Sequence, residues 1–281
     1  MGRLIVVPTP IGNLEDITLR ALRVLRESPL ILAEDTRHTR QLLRHFEIEG
    51  KLLSYHQHNK RERLGTVLRR LEETDVALVS NAGMPVVADP GFELVSAAIE
   101  AGIEVEVLPG ASAVITAVVA AALPAPGFVF AGFLPRKSGD RRKRLGELAA
   151  LPYSLVFYEA PHRLTELLED IEAVLGDRSL VMARELTKLH EEVLRTTVSG
   201  LRARYREEEP RGEVTLVVAG ANPEPEDRRS EARDALRERA LAGEGARTSV
   251  DEVSARFGMP RNEVYELWVQ VSRGGQEGDG Q

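Results

Sequence analysis

The chain has 281 residues, 43% of them hydrophobic and 29% charged, with no cysteine and a formal net charge of −7. This composition is that of an ordinary globular chain, for which disorder is not the default, and leaves room for two compact units, while the lack of cysteine excludes disulfides, thiolate catalysis and Cys-based zinc or iron–sulfur sites. The acidic balance argues against a wholly basic nucleic-acid binder, though not against a local basic patch, and no apolar run approaches the ~20 residues that span a bilayer.

Met1-Gly2-Arg3 runs straight into strand-like sequence without the three parts of a signal peptide, so a cytoplasmic location is expected. Arg3 to Val7 reads as a buried strand, followed by the rigid loop Pro8-Thr9-Pro10-Ile11-Gly12-Asn13. Asp16 or Thr18 caps a helix carrying Leu19, Leu22, Val24 and Leu25, which ends near Ser28-Pro29. Leu30 to Ala33 is a second strand, and it delivers Glu34-Asp35-Thr36-Arg37-His38-Thr39 to the strand end. Those groups either serve a ligand or include the cap, Asp35 or Thr36, of the helix with Leu42, Leu43 and Phe46. Lys51 to Tyr55 is strand-like. His56 and His58 could share a face, but no HExxH-type spacing occurs and no metal is expected. Asn59 to Glu73 is an amphipathic helix with Leu64, Val67, Leu68 and Leu71 inward.

The stretch from Val76 to Gly91 reads as a buried strand, a Ser-Asn-Ala-Gly turn, and a helix opening after Asp89-Pro90. In an open parallel sheet, loops at the carboxyl ends of strands form the ligand crevice, so Gly83 either lets a ligand approach the backbone or serves a structural turn. Phe92 to Ala101 is a helix closed by Gly102, and Glu104 to Leu108 is a fifth strand. Pro109-Gly110-Ala111-Ser112-Ala113 then opens a helix of small residues up to Leu123, whose free N–H groups suit a carboxylate or ribose. These alternations predict an N-terminal, mostly parallel α/β domain over residues 1–123.

Pro124-Ala-Pro126-Gly127 marks a boundary. Beyond it come strands at 128–132, 155–158, 180–183, 192–198 and 214–219, with helices from Arg136 and from Pro161 to Leu175. Strands outnumber helices, which predicts a second, α+β domain over 124–222 with a mixed sheet. Residues 223–281 form a small helical extension, with Gly274 to Gln281 expected to be disordered.

There is no G-x-G-x-x-G after the first strand, no P-loop and no G-x-S-x-G elbow. Between 136 and 144, however, six of nine residues are cations, the best candidate in this acidic chain for contact with phosphates. Tyr158-Glu159-Ala160-Pro161-His162-Arg163 and Ala183-Arg184-Glu185-Leu186-Thr187-Lys188 bring both signs of charge to strand ends, as internal ion pairs or as chemistry. Residues 250–265 carry a helix-turn-helix pattern around Gly258. From Pro223 on, 13 acids face 9 arginines and no lysine, which argues against duplex binding and for packing or an accessory RNA contact.

Seven stretches, 7–14, 33–39, 78–85, 108–113, 132–137, 158–163 and 183–188, closely resemble in order the small-subunit ribosomal RNA cytidine 2′-O-methyltransferases, the methyltransferase I family, a branch of the tetrapyrrole methylases. The resemblance runs from residue 4 to about 220. It implies two α/β-type domains holding S-adenosylmethionine in their cleft, a homodimer, and methylation of a cytidine ribose in the decoding region of 16S ribosomal RNA within the small ribosomal subunit. The family usually reads Ser-Asp-Ala-Gly-Thr-Pro where this chain has Asn81 and Met84; main-chain contacts there would leave the role intact. Carried over, Pro10, Ile11, Gly83, Met84, Val87, Ser112, Ala113, Tyr158, Gly212 and Val214 are expected around the cofactor. Glu34 and Asp35 are the expected base and orienting acid, with Lys188 as rival. Arg37, Arg136, Lys137, Arg141, Arg142 and Arg163 are expected on RNA phosphates. The alternatives are methylation of a tetrapyrrole-like small molecule and DNA-binding regulation through the C-terminal helices.

Overall fold

The computed structural model describes residues 2–206, 210–221, 225–242 and 244–274. The first half alternates β1 (Leu4–Val6), α1 (Leu19–Glu27), β2 (Leu30–Ala33), α2 (Thr36–His45), β3 (Leu52–Ser54), α3 (Lys60–Glu73), β4 (Val76–Val79), α4 (Phe92–Glu100) and β5 (Val105–Val107). Its strands pair in parallel in the order β3-β2-β4-β1-β5. Leu4, Val6, Leu32 and Leu78 pack on one face, Ile5, Val7, Ile31 and Ala77 on the other. Burial on both faces is why these strands read as continuous apolar runs. The chain leaves β1 in one direction and β4 in the other, so their carboxyl ends form a topological switch point, where an open parallel sheet has its crevice.

Side-chain oxygens start α1 and α2. Thr18 accepts from the Ala21 N–H at 3.0 Å and Asp35 from the Arg37 N–H at 2.8 Å, which decides both open capping choices. His56 and His58 lie beyond β3, in a turn closed by Asn59, whose side chain accepts from the His56 N–H at 2.9 Å.

The second sheet is built from β6 (Phe128–Phe133), β7 (Ser154–Glu159), β8 (Ser179–Arg184), β9 (Glu192–Thr197) and β10 (Val214–Val218), in the order β6-β7-β10-β8-β9. Only β6 and β7 run parallel. One face is covered by α6 (Ser138–Leu148), α7 (Leu164–Leu175) and α8 (Val198–Arg204), through Leu145, Leu167, Ile171 and Leu201. The other carries α5 (Ala113–Ala121), whose Val114, Ala117 and Ala121 meet Val156, Val181 and Val217. Although α5 follows β5 in sequence, its small residues lie on the second sheet. α6 begins at Ser138, two residues later than expected, and Pro161–Arg163 forms a separate 3-10 turn before α7.

Packing groups residues 1–220 as one unit and 221–281 as another. The latter consists of α9 (Pro225–Leu241), α10 (Ala246–Phe257) and α11 (Arg261–Gly274) around Leu236, Val250, Val253, Val264 and Leu267. Gly258, with φ 61°, makes the turn between α10 and α11 in the left-handed region that glycine favours. The expectation of disorder at 274–281 falls, apart from residue 274, outside the described residues.

Candidate active site

The loops after β1 and β4 are fastened to each other: Thr9 and Gly83 exchange two backbone hydrogen bonds at 3.0 and 2.9 Å. The first loop is also tied to the turn after β8. Asn13 N–H donates to Thr187 Oγ1 at 3.0 Å, and Gly12 lies so close to Thr187 and Lys188 that a Cβ would collide with both. Glu185 and Thr187 hold that turn at φ 50° and 66°, left-handed values costly for side chains of this size. Compensation comes from Glu185, whose Oε1 accepts from Glu213 N–H at 2.9 Å and Lys188 Nζ at 2.8 Å.

These loops enclose a cavity of about 380 Å³, within the range of small-ligand sites. Ile11, Gly83, Met84, Val87, Ser112 and Ala113 border it from the first-half loops and the start of α5; Tyr158, Gly212 and Val214 border it from the second sheet. Pro10 is buried but does not border it. Of the charged residues among those described, only Asp89, Glu159 and Glu213 line the cavity. Glu159 is fully enclosed: one oxygen accepts from the Ala160 N–H at 2.8 Å, and the other, 3.4 Å from Arg163, has no hydrogen bond. Burial raises its pKa. Burial, and then the Asp89 charge, push Tyr158 up to about 12, so the phenol stays protonated at neutral pH.

The groups expected to handle a proton are less free than their sequence position suggests. Hydrogen bonds from Arg37 hold Asp35 down to about 2, and its carboxylate, already the α2 cap, lies 3.0 Å from the Arg37 guanidinium. Burial alone would lower the Lys188 pKa, but the hydrogen bond to Glu185 and the Glu213 charge outweigh it and raise it. Lys188 therefore remains a cation, and Asp35 is a poor base at neutral pH. Glu34, half-buried at the end of β2, acts electrostatically on Asp89.

The expected RNA-facing cations divide. Arg136 and Lys137 are exposed and, with Lys143, make no ion pair among the described residues. Arg37 is exposed and paired to Asp35, while Arg142 is half-exposed with Nε 2.6 Å from Asp170. Arg141 corrects the expectation: it is 1% exposed, with Nε 2.5 Å from Asp170 and Nη1 donating to the Arg136 carbonyl at 3.1 Å. Its guanidinium anchors α6 to α7 and is unavailable to a phosphate. Arg163 is spent mainly on the Leu134 and Pro135 carbonyls, at 3.0 and 3.3 Å.

Asp89-Pro90 ahead of an apolar run reads in sequence as a helix start and carries no local signal of a cavity acid. Gly91, not Asp89, caps α4, and the acid is left facing the cavity. Phe133 borders the cavity too, three residues before Arg136.

A parallel sheet joined to a mixed one, with a cavity bordered by loops of both, is the architecture of a methylase class. The family of Tetrapyrrole (Corrin/Porphyrin) Methylases matches residues 3–202, and the chain belongs to it. Its curated relatives include Ribosomal RNA small subunit methyltransferase I of Micromonospora olivasterospora, 49% identical over 94% of this chain and 86% of that protein. The protein of the same name from Escherichia coli O157:H7 is 50% identical over 85% of this chain and 84% of its own. Among solved structures, uroporphyrin-III C-methyl transferase from Thermus thermophilus, complexed with S-adenyl homocysteine, shares the fold with TM-score 0.55 and 22% identity, covering 77% of this chain and 97% of its own.

Proposed function

We propose that this protein transfers the methyl group of S-adenosylmethionine to the ribose 2′-oxygen of a cytidine in the decoding region of 16S ribosomal RNA, acting on the small ribosomal subunit in the cytoplasm as a homodimer. The observation that carries the reading is the pairing of an acidic cavity with a basic flank. Among the described residues the charged groups that line the wall are all acids, and of them Asp89 makes no ion pair. This suits a ligand bearing a sulfonium and an ammonium, and disfavours the pyrophosphate of a dinucleotide. Bound there, S-adenosylmethionine supplies an already activated methyl group, so the protein has chiefly to align the hydroxyl and take up its proton. Gly83, Ser112, Ala113 and Gly212 would hold it closely, with Ile11, Met84, Val87, Tyr158 and Val214 as apolar walls.

The basic flank follows directly from the cavity wall: β6 places Phe133 at the cavity and then continues into exposed Arg136 and Lys137. Cations there hold a backbone in register without reading its bases. The homodimer is supported by Ile115 and Val119 of α5, 51% and 73% exposed.

Labelled methyl transfer tests the reading. Wild-type protein is expected to label the 2′-oxygen of a cytidine in small-subunit particles or their RNA, and neither a porphyrinogen nor duplex DNA; labelling of the porphyrinogen instead would assign the small-molecule alternative. The triple change Arg136→Ala, Lys137→Ala and Lys143→Ala is expected to lower RNA affinity and reduce the log–log salt slope by about 2, as three lost contacts on single-stranded RNA would. Arg141→Met is expected to leave that slope unchanged, and filter binding across a salt series measures both.

A further inference from the structure

Three carboxylates border the cavity, and two are already engaged. Glu159 is enclosed beside Arg163, and Glu213 lies 3.3 Å from Lys188. Asp89 makes no ion pair among the described residues. It sits on the loop between β4 and α4, borders the cavity together with Gly83, Val87 and Tyr158, and caps no helix. We propose that Asp89 accepts the proton of the ribose hydroxyl and is the catalytic base, with Glu34 acting through it as a positioning residue. This inference rests on the ribose-methylation reading above and assigns its proton acceptor.

The electrostatic setting supports that role. Burial, and then the charge of Glu34 at the end of β2, push the Asp89 carboxyl up to about 6, with the Ser80 hydroxyl opposing them. The other titratable group that feels it is Tyr158 on β7, which stays neutral. A carboxylate raised this far is ionised at neutral pH yet holds a proton better than an ordinary aspartate, which is what a general base needs. Asp35 and Lys188 do not meet that requirement, since one is held strongly acidic and the other stays charged. In the step itself, the ribose oxygen bonds to the methyl carbon while its proton passes to Asp89. The carbon–sulfur bonding pair remains on sulfur, and the proton then leaves the carboxyl for solvent.

The test uses the full chain with small-subunit particles, comparing wild type, Asp89→Asn and Glu34→Gln. Single-turnover transfer by wild type is expected to fall about tenfold per pH unit below a break near 6. Asp89→Asn should lose about 100-fold or more of the rate at neutral pH, while calorimetry shows S-adenosylmethionine binding within twofold of wild type. Glu34→Gln should keep that binding and move the break to lower pH, because removing a neighbouring negative charge makes Asp89 more acidic. Carbonyl-13C aspartate NMR of the free protein should show the same titration, absent in Asp89→Asn. Wild-type transfer to RNA with Asp89→Asn within fivefold of it overturns the inference alone, as does a break that Glu34→Gln leaves in place. Loss of S-adenosylmethionine binding in Asp89→Asn reassigns the residue to the cofactor and overturns it too. No wild-type transfer to RNA at all overturns the function reading, and this inference with it.

Discussion

Asp170→Ala is expected to destabilise the protein by about 3–5 kcal/mol, the cost of leaving a buried ion without its partner. Asp170 is 2% exposed on α7 and takes hydrogen bonds from Ser138 at 2.9 Å, Arg141 at 2.5 Å and Arg142 at 2.6 Å. Burial alone would raise its pKa, but those donors outweigh burial and lower it. Its contribution to stability is therefore complete above the unfolded value near 3.9, and is lost as pH falls through the folded value. Removing the carboxylate leaves Arg141, 1% exposed, with the Arg136 carbonyl at 3.1 Å and, among the described residues, only the distant Glu166 carboxylate, 3.6 Å away, as an ionic partner. The double change Arg141→Met with Asp170→Leu is expected to recover most of the loss, since an apolar pair of similar volume often replaces a buried ion pair at little cost. Denaturant unfolding at pH 7 and pH 3.5 measures both effects. A loss under 1 kcal/mol for Asp170→Ala at pH 7 would show that water reaches Arg141.

Gly83→Val is expected to weaken S-adenosylmethionine binding at least about tenfold, which takes only 1.4 kcal/mol of misfit. Gly83 has φ +75°, a conformation that a β-branched residue adopts only under strain. A Cβ there would stand 3.1 Å from Ile11 Cγ2 and 3.6 Å from the Ala111 carbonyl oxygen. The added side chain would thus press on Ile11 in the loop after β1 while the strained backbone at 83 disturbs the Thr9–Gly83 bridge. Gly102→Ala is the control. Its φ is +72°, but nothing lies within 4 Å of the added Cβ, so a stability loss of about 1 kcal/mol should come with unchanged affinity. Calorimetric titration of both variants separates strain from occlusion; equal affinity in Gly83→Val and wild type would move the cofactor away from this loop.

The element order was legible in the sequence because local patterns carry it. Continuous apolar runs such as Leu30 to Ala33 mark strands buried on both faces, and the small-residue loops at 83 and 111–113 stand at the strand ends where an α/β sheet opens. The mixed second sheet followed from strands outnumbering helices beyond residue 124, too few helices for every strand pair to be joined by a parallel crossover. Nine of the ten residues that the family resemblance implies around the cofactor border one cavity, all but Pro10.

Charge partners were not legible, because an ion pair is chosen by apposition across the fold. Six cations between 136 and 144 read alike, yet Arg141 turns inward to an aspartate 29 residues away while Arg136 and Lys137 stay in water. Helix periodicity sorts apolar from polar faces but does not say which polar residue will meet an acid on the next helix. The sequence by itself determined where strands, helices and small-residue loops lie, because backbone preference and side-chain period act over a few residues. Only the tertiary structure decided that α5 packs on the second sheet, that Glu185 clasps the segment entering β10, and that Asp89 faces the cavity. Each of those depends on distant segments meeting, where burial and neighbouring charge set what a side chain can do.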